Sequence, residues 1–366
     1  MTLTPFSRRR AKEIRIGKVK IGGRNPIAIQ SMTKVPTKDC VKAIAQIKEL
    51  ENVGCNIARL AIRDEQDARA IADIKPAVKI PLVADIHFNW KLALCAIKAG
   101  ADKIRLNPGN IYKKEEVKEV VSCAKDYGIP IRVGLNSGSI PKIFRYNSKL
   151  SPALKLVKAA LDYIKILEGL KFRDIVVSLK CSNVRETIEA YQNIAEKCAY
   201  PLHLGLTATG FAEEGRIKSA VALGVLLAQG IGDTLRVSLT TEPVEEIRAA
   251  KYILASLGLG IFGPEIISCP ACGRTEANIE EIVNELHQRV FDASNASLLD
   301  RPVKLAVMGC VVNGPGEAED ADLAVAFGRN EGLIYKNAKP LRKVPFDQAV
   351  NELLKEWKLY VQRTKR

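Results

Sequence analysis

The chain has 366 residues, 47% of them hydrophobic and 27% charged, a balance that supports folding along the whole length and leaves no long disordered tract. It lacks any run of about 18 or more uncharged apolar residues, and the basic start MTLTPFSRRRAK is not followed by an apolar signal core, so neither a helical membrane span nor export is expected and the protein reads as cytoplasmic. Lys and Arg outnumber Asp and Glu by 56 to 41, which favours anionic partners. Aromatic residues reach only 5% and the basic residues are spread along the chain, so no nucleic-acid surface with stacking platforms is expected.

Taken from the N-terminus, KEIRIGKVKIGG alternates Ile14 and Ile16 with Val19 and Ile21 around a glycine turn, the pattern of a small hairpin able to close the bottom of a barrel. Eight strand candidates follow, each trailed by a helix-length segment: IAIQSMT, NIARLAIR, PLVADIHF, KIRLNPG, PIRVGLNSGS, DIVVSLKCSN, PLHLGLTATG and DTLRVSLTTE. In the first helical segment Val41, Ile44, Ala45, Ile47 and Lys48 are expected on the packed side. Eight such units predict an α/β fold of the TIM (β/α)8 type over residues 1–258. After Gly258 the rhythm breaks. A helix at TEANIEEIVNELHQRV, strands at VKLAVMG, LAVAFG and GLIYK, and a last helix from about Phe346 predict a separate small α/β domain over 259–366.

Barrels of this kind keep their chemistry at the C-terminal ends of the strands, and residues two apart share a face. By that rule Arg59 and Arg63 face one way on the second strand, Asp85 and His87 on the third, Arg105 and Asn107 on the fourth, Arg132 and Asn136 on the fifth, and Lys180 and Ser182 on the sixth. Thr207 and Thr209 follow on the seventh strand, and Arg236, Ser238 and Thr240 on the eighth. Converging guanidinium groups and a lysine suit a substrate with more than one phosphate, because the guanidinium fork binds phosphate oxygens in pairs. The bland alternative is a set of structural ion pairs around Asp85, with Asp85 and His87 as a structural pair.

Six of the nine cysteines (Cys40, Cys55, Cys95, Cys123, Cys181 and Cys198) stand singly in the barrel and read as packing residues. Cys269 and Cys272, in CPACGR, lie one turn apart, and Cys310 precedes a Gly-Pro-Gly turn in VMGCVVNGPGE. Three thiolates could hold an iron-sulfur cluster with one corner left to another ligand, and Glu317 is the carboxylate that follows the turn. A Cys3His zinc site completed by His287 is the competing reading.

ISCPACGR and VMGCVVNGPGEAEDADLAVAFG, together with PLVADIHF, KIRLNPGN, IRVGLNSGS and LKCSN in the barrel, closely resemble the 4-hydroxy-3-methylbut-2-enyl diphosphate synthase family. The resemblance implies a TIM barrel that binds 2-C-methyl-D-erythritol 2,4-cyclodiphosphate and a sulfite-reductase-like C-terminal domain carrying a 4Fe-4S cluster on Cys269, Cys272, Cys310 and Glu317. It places substrate contacts on Arg59, Arg105, Arg132, Asn136 and Lys180, with Asp85, His87, Thr207, Arg236 and Ser238 facing the substrate. It also implies electron delivery by ferredoxin or flavodoxin, and a homodimer whose active site joins the barrel of one chain to the cluster domain of the other.

One position departs from the family pattern. Where such chains usually read Thr-Glu-Ala-Gly after the seventh strand, this one reads Thr207-Ala208-Thr209-Gly210, so the carboxylate offered as proton donor is missing. Asp85, Glu213, Glu214 or water is left as the source. Two other function classes remain open at this stage. An aconitase-like hydrolyase on a phosphorylated metabolite would need no external reductant, and an RNA-binding protein with structural zinc would be colourless and salt-sensitive.

Overall fold

Parallel strands need crossover connections, and the helix-length segments between the eight β-rich runs supply them. The structure, a computed structural model, describes residues 7–146, 149–292, 298, 301–310, 316 and 318–363. The chain divides into two compact units, residues 1–260 and 261–366.

In the first unit a hairpin of β1 (Ile14–Ile16) and β2 (Val19–Ile21) precedes eight parallel strands: β3 (Ala28–Met32), β4 (Ile57–Ile62), β5 (Leu82–Ile86), β6 (Lys103–Leu106), β7 (Ile131–Asn136), β8 (Ile175–Lys180), β9 (His203–Leu204) and β10 (Thr234–Leu235). Their order is β8-β7-β6-β5-β4-β3-β10-β9, and a parallel bridge from Val177 to Leu202 closes the ring. β9 and β10 are only two residues long, far shorter than the segments PLHLGLTATG and DTLRVSLTTE read as strands. Single bonds continue their paths upward, Thr207 N to Cys181 O and Arg236 N to Leu204 O.

The hairpin seals the lower end. Ile14, Ile16 and Ile21 pack on Ala28, Ile57, Val83 and Val176, the first inward residues of four strands. Its turn needs Gly17, whose φ is +52° and where a Cβ would stand 2.8 Å from Asp102 Oδ1. The first crossover helix, α1 (Cys40–Asn52), starts at an Asp39 cap and buries Ala43, Ile47 and Leu50. The expected face is therefore corrected: Val41 is 80% exposed and Ala45 and Lys48 are exposed too. The true stripe runs i, i+4, i+7 from Ala43, and Ile47 alone of the expected residues is fully buried on it.

In the second unit five strands, β11 (Glu265–Ser268), β12 (Lys304–Met308), β13 (Leu323–Phe327), β14 (Glu331–Lys336) and β15 (Lys339–Pro345), lie in sequence order. The first three are parallel, and the last two pair antiparallel. β15, three of whose seven residues are charged, has no counterpart among the strands expected from the sequence. Period-two alternation splits the sheet: Leu305, Val307, Leu323, Val325 and Phe327 meet the two helices Ile279–Val290 and Ala349–Arg363 and bury Trp357. Ala306, Ala324 and Ala326 take the opposite face with Met308. Among the described residues no helix is long and apolar enough to cross a membrane.

Trp357 is fully buried at the centre of this second core. Trp357→Ala is expected to destabilise the unit by about 3–5 kcal/mol, read as a lowered urea midpoint of its unfolding transition; a loss below about 1 kcal/mol would show that the core does not turn on this side chain.

Candidate active site

The upper ends of the barrel strands gather most of the charged side chains singled out by parity. Asp85, 4% exposed, sits between Arg59, whose Nε is 3.8 Å away, and Arg105, whose Nη1 is 3.2 Å away. His87 Nε2 lies 3.0 Å from the same Arg105 nitrogen and 3.5 Å from Asp85. Arg105 also donates to Gly134 O at 2.6 Å. Burial alone would push the Asp85 carboxyl up, yet Arg59 and Arg105, helped by His87 and Arg132, hold it well below the usual range. Asp85 accepts a hydrogen bond from Arg105 and lies within ion-pair distance of Arg59 and His87.

Two glycines make room for the long cations. A Cβ at Gly134 would stand 2.4 Å from Arg105 Nε, and one at Gly205 2.7 Å from Lys180 Nζ. Both positions point inward, so any larger residue would displace a charged side chain.

The cations differ in how far they are compensated. Arg236 is committed: its Nε and Nη2 each donate to Glu246 at 3.0 Å. Glu246, buried on the helix Pro243–Ser256, also accepts from Ser31 Oγ at 2.8 Å and from Leu239 N at 3.2 Å. Among the described residues Arg132 hydrogen-bonds one neutral partner, Ser178 Oγ at 2.9 Å, and its Nε and Nη2 have none. Lys180 lies against Gly205 and level with Asn136 on the next strand. Burial, then the repulsion of neighbouring arginines, lowers the pKa of both Arg132 and Lys180 well below the ordinary values. An anion placed beside them would relieve both effects.

Thr207 and Ser238 stand on the rim, where Ser238 Oγ donates to Leu206 O at 3.3 Å. Thr209 instead turns its hydroxyl to Ser238 O, tying two loops together. Ala208 is exposed, with φ +52°. Glu214 pairs with Lys218, and its carboxylate lies over Gly210, so it guards the same loop. Arg63 leaves the set, since it caps the next helix through Asp67, with Nε 2.9 Å from Oδ2.

Sequence reasoning missed four buried residues. Gln30, Lys103 and His203 share inward parity with Met32, Arg105 and Gly205, and so could have been found; Glu246 comes from a helix and gave no strand signal. Together with Arg132, Ser178 and Thr234 the first three line the barrel interior, every member at most 1% exposed. Among the described residues, Lys103 Nζ, His203 Nε2 and both amide atoms of Gln30 have no hydrogen-bond partner. Orphans of this kind cost about 1–3 kcal/mol each when dry.

The positive excess belongs to this unit, with 42 Lys and Arg against 26 Asp and Glu in residues 1–260, whereas residues 261–366 have 14 against 15.

In the second unit the thiols lie at the C-terminal ends of neighbouring parallel strands, β11 and β12. Cys269 N bonds Val307 O at 3.2 Å, and Gly309 N donates to Cys269 Sγ at 3.1 Å. The Cys-Pro-Ala-Cys loop turns through Ala271 at φ +51° and is pinned by Thr275 N to Cys272 O and Glu276 N to Gly309 O, each 2.9 Å. Gly309 permits this approach, since a Cβ there would meet Thr275 Cγ2 at 2.9 Å. Cys310 follows directly, while Glu317 lies outside the described residues.

Zinc ligands must all come within about 2.0–2.3 Å of one ion, and among the described residues no group of three or more His, Cys, Asp or Glu side chains is gathered that closely. His287 packs its ring on Phe291, 4.7 Å between centroids. A four-iron cluster takes each thiolate on a different iron and spreads its ligands over a larger body. Three thiols on two loops tied by backbone bonds, one already accepting an N–H bond, fit that requirement.

Residues 11–251 match the family model described as the GcpE TIM-barrel domain, and residues 265–359 the GcpE protein C-terminal domain. A relative from Dehalococcoides mccartyi named 4-hydroxy-3-methylbut-2-en-1-yl diphosphate synthase (flavodoxin) is 51% identical, covering 96% of this chain and 99% of its own. Relatives with the same name from Caldanaerobacter subterraneus subsp. tengcongensis and Bacillus cytotoxicus are 51% and 48% identical over 95% of this chain, and 97% and 93% of theirs. Among solved structures, dihydropteroate synthase from Stenotrophomonas maltophilia aligns with a TM-score of 0.52 at 14% identity, over 67% of this chain and 98% of its own, a likeness of fold alone. With both domains matched in order and relatives spanning nearly its whole length, the chain belongs to the GcpE family.

Proposed function

We propose that the chain reductively opens 2-C-methyl-D-erythritol 2,4-cyclodiphosphate to 4-hydroxy-3-methylbut-2-enyl diphosphate, in the cytoplasm, as a step of the methylerythritol phosphate route to isoprenoids. Family membership and the relatives' names support the reaction and flavodoxin as electron donor, with ferredoxin a chemically equivalent source. The observation in the barrel that carries the reading is the pair Arg132 and Lys180, buried in the barrel interior and, among the described residues, in no ion pair with a carboxylate. Such a pair calls for a ligand with adjacent anionic oxygens.

Arg132 and Lys180 bind the diphosphate, and Asn136 adds an amide beside Lys180. Arg59 and Arg105, locked by Asp85, present fixed guanidinium edges to the same ligand, while His87, Thr207 and Ser238 contact the sugar-derived part at the rim. Arg236, spent on Glu246, shapes the wall. Because these groups are held before substrate arrives, little reorganisation is needed as charge moves onto the leaving diphosphate oxygen. In the overall change the ring carbon–oxygen bond breaks, a hydroxyl departs as water, and two electrons and two protons are consumed. With Ala208 in the family's acid position, the proton for the departing hydroxyl is drawn from Asp85, Glu213, Glu214 or water.

Cys269, Cys272 and Cys310 would hold a 4Fe-4S cluster, with Glu317 as its displaceable fourth ligand. Such a cluster, when bound, supplies single electrons and a Lewis-acidic iron. The loop bonds at Gly309 and Glu276 keep the thiols in place. The homodimer with a shared active site, a further part of the proposal, is supported by an exposed apolar stripe on α8 (Ala212–Ala228), Ile217, Val221 and Val225 at four-residue spacing.

Anaerobically assayed Cys310→Ser is expected to lose activity along with its cluster absorbance; full turnover would refute the mechanism. Arg132→Ala is expected to weaken cyclic diphosphate binding about ten- to a hundredfold while leaving the cluster spectrum unchanged, and calorimetry showing wild-type affinity would contradict the pocket assignment. Val221→Glu should shift the sedimentation coefficient from dimer to monomer, and an unaltered dimer would move the interface off α8.

A further inference from the structure

One carboxylate grips Arg236 along an edge of its guanidinium. Nε and Nη2 each donate to Glu246 at 3.0 Å, a fork-to-fork pairing that fixes the plane of the guanidinium as well as its place. The remaining nitrogen, Nη1, then lies 3.7 Å from Met32 Sδ, and that sulfur accepts from Arg59 Nε at 3.0 Å. Arg59 Nε in turn stands 3.8 Å from Asp85 Oδ2. Arg236 therefore presents Nη1 on the side of the cations assigned to substrate, with 12% of its side chain exposed.

Glu246 stands in the first turn of the helix Pro243–Ser256, where the helix dipole favours a negative charge, and it is 1% exposed. Both of its oxygens are doubly used. Oε2 accepts from Ser31 Oγ at 2.8 Å and from Arg236 Nε, and Oε1 accepts from Leu239 N at 3.2 Å and from Arg236 Nη2. A strand end, a rim segment and a helix of the outer ring thus meet on one side chain. The rim segment needs such a tether, because β10 ends at Leu235. Leu239 O accepts from Lys34 Nζ at 2.9 Å, and Thr209 Oγ1 donates to Ser238 O while Ser238 Oγ donates to Leu206 O, so the position of this segment is shared with the loop that carries Thr207 and Ala208.

We propose that Glu246 is a positioning residue of the active site: by holding Arg236 edge-on and the Leu239 amide with the same carboxylate, it sets where Arg236 Nη1 meets a substrate oxygen. It acts through Arg236 and touches no substrate itself. A glutamine has one acceptor oxygen in place of two, so it cannot keep both the fork and the Leu239 amide, whereas a plain structural ion pair would stabilise the fold without deciding how tightly ligand is held. The role rests on the cyclic diphosphate reading given above and deepens it.

The test is a double-mutant cycle on the anaerobically purified full chain, with cyclic diphosphate binding read by calorimetry for the wild type, Glu246→Gln, Arg236→Met and the double variant. Glu246→Gln is expected to raise Kd about tenfold with the cluster absorbance unchanged. In the Arg236→Met background the same change is expected to raise Kd no further, because the group it positions is gone. A wild-type Kd in Glu246→Gln, or losses that multiply in the double variant, would overturn the positioning role and leave a structural ion pair. Should a single variant fail to fold, Glu246→Asp or Arg236→Gln takes its place in the cycle, with the same two outcomes. A wild-type chain that bound no cyclic diphosphate would overturn the proposed function, and the positioning role with it; wild-type binding with an unaltered variant overturns the positioning role alone.

Discussion

Everything at the barrel mouth depends on one constraint, that several guanidinium and ammonium groups are kept out of water with too few carboxylates to match them. Removing such groups from water costs several kcal/mol each in a folded protein, so the fold must hold them by hydrogen bonds, by shared carboxylates or by a ligand. Asp85 is shared between two arginines, Glu246 is given wholly to one, and the inward glycines at 134 and 205 leave space for stems that would otherwise clash. The sign of the linkage follows. The Asp85 carboxyl is depressed in the folded chain, so its contribution to stability is present above its unfolded pKa, near 4, and is lost as pH falls through the lower folded value.

The second unit solves a different problem, that of holding thiol-bearing loops at the ends of neighbouring strands. Its sheet buries large residues on one face and alanines on the other, and the Cys269 and Cys310 loops leave adjacent parallel strands at the same end. Parallel pairing fixes the separation of those strand ends, and the bonds from Gly309 and Glu276 fix the loops. Rigid elements and backbone bonds, rather than charge, do the positioning here. The near-balance of charge in residues 261–366 agrees with that contrast.

Much of this was legible in the sequence because a barrel strand has a strict period of two. Once Arg105 and Arg132 were placed at strand ends, Asp85, His87 and Lys180 followed by parity and by likeness to a known family. The same rule contained Lys103 and His203, which escaped notice because they lie one step deeper, where an apolar residue is the normal expectation. Glu246 was not legible at all, since its role depends on where a helix of the outer ring packs. The phase of α1 was misjudged because Val41, though apolar, falls in the first turn on the outer side. The division of Arg236, which reads as substrate-facing, from Arg132, which reads as a phosphate ligand, appears only when their hydrogen-bond partners are known.

The two shortest strands have a consequence for how this molecule changes over evolutionary time. β9 and β10 contribute two ladder residues each, so the stretch from Thr207 to Gly210 hangs from the most weakly laddered part of the ring. Segments held by few backbone bonds open locally at low free energy, and substitutions within them are felt little by the rest of the fold. A rim segment of that kind can exchange one side chain for another, an alanine in a left-handed conformation included, while the arginines and the floor beneath them stay where they are.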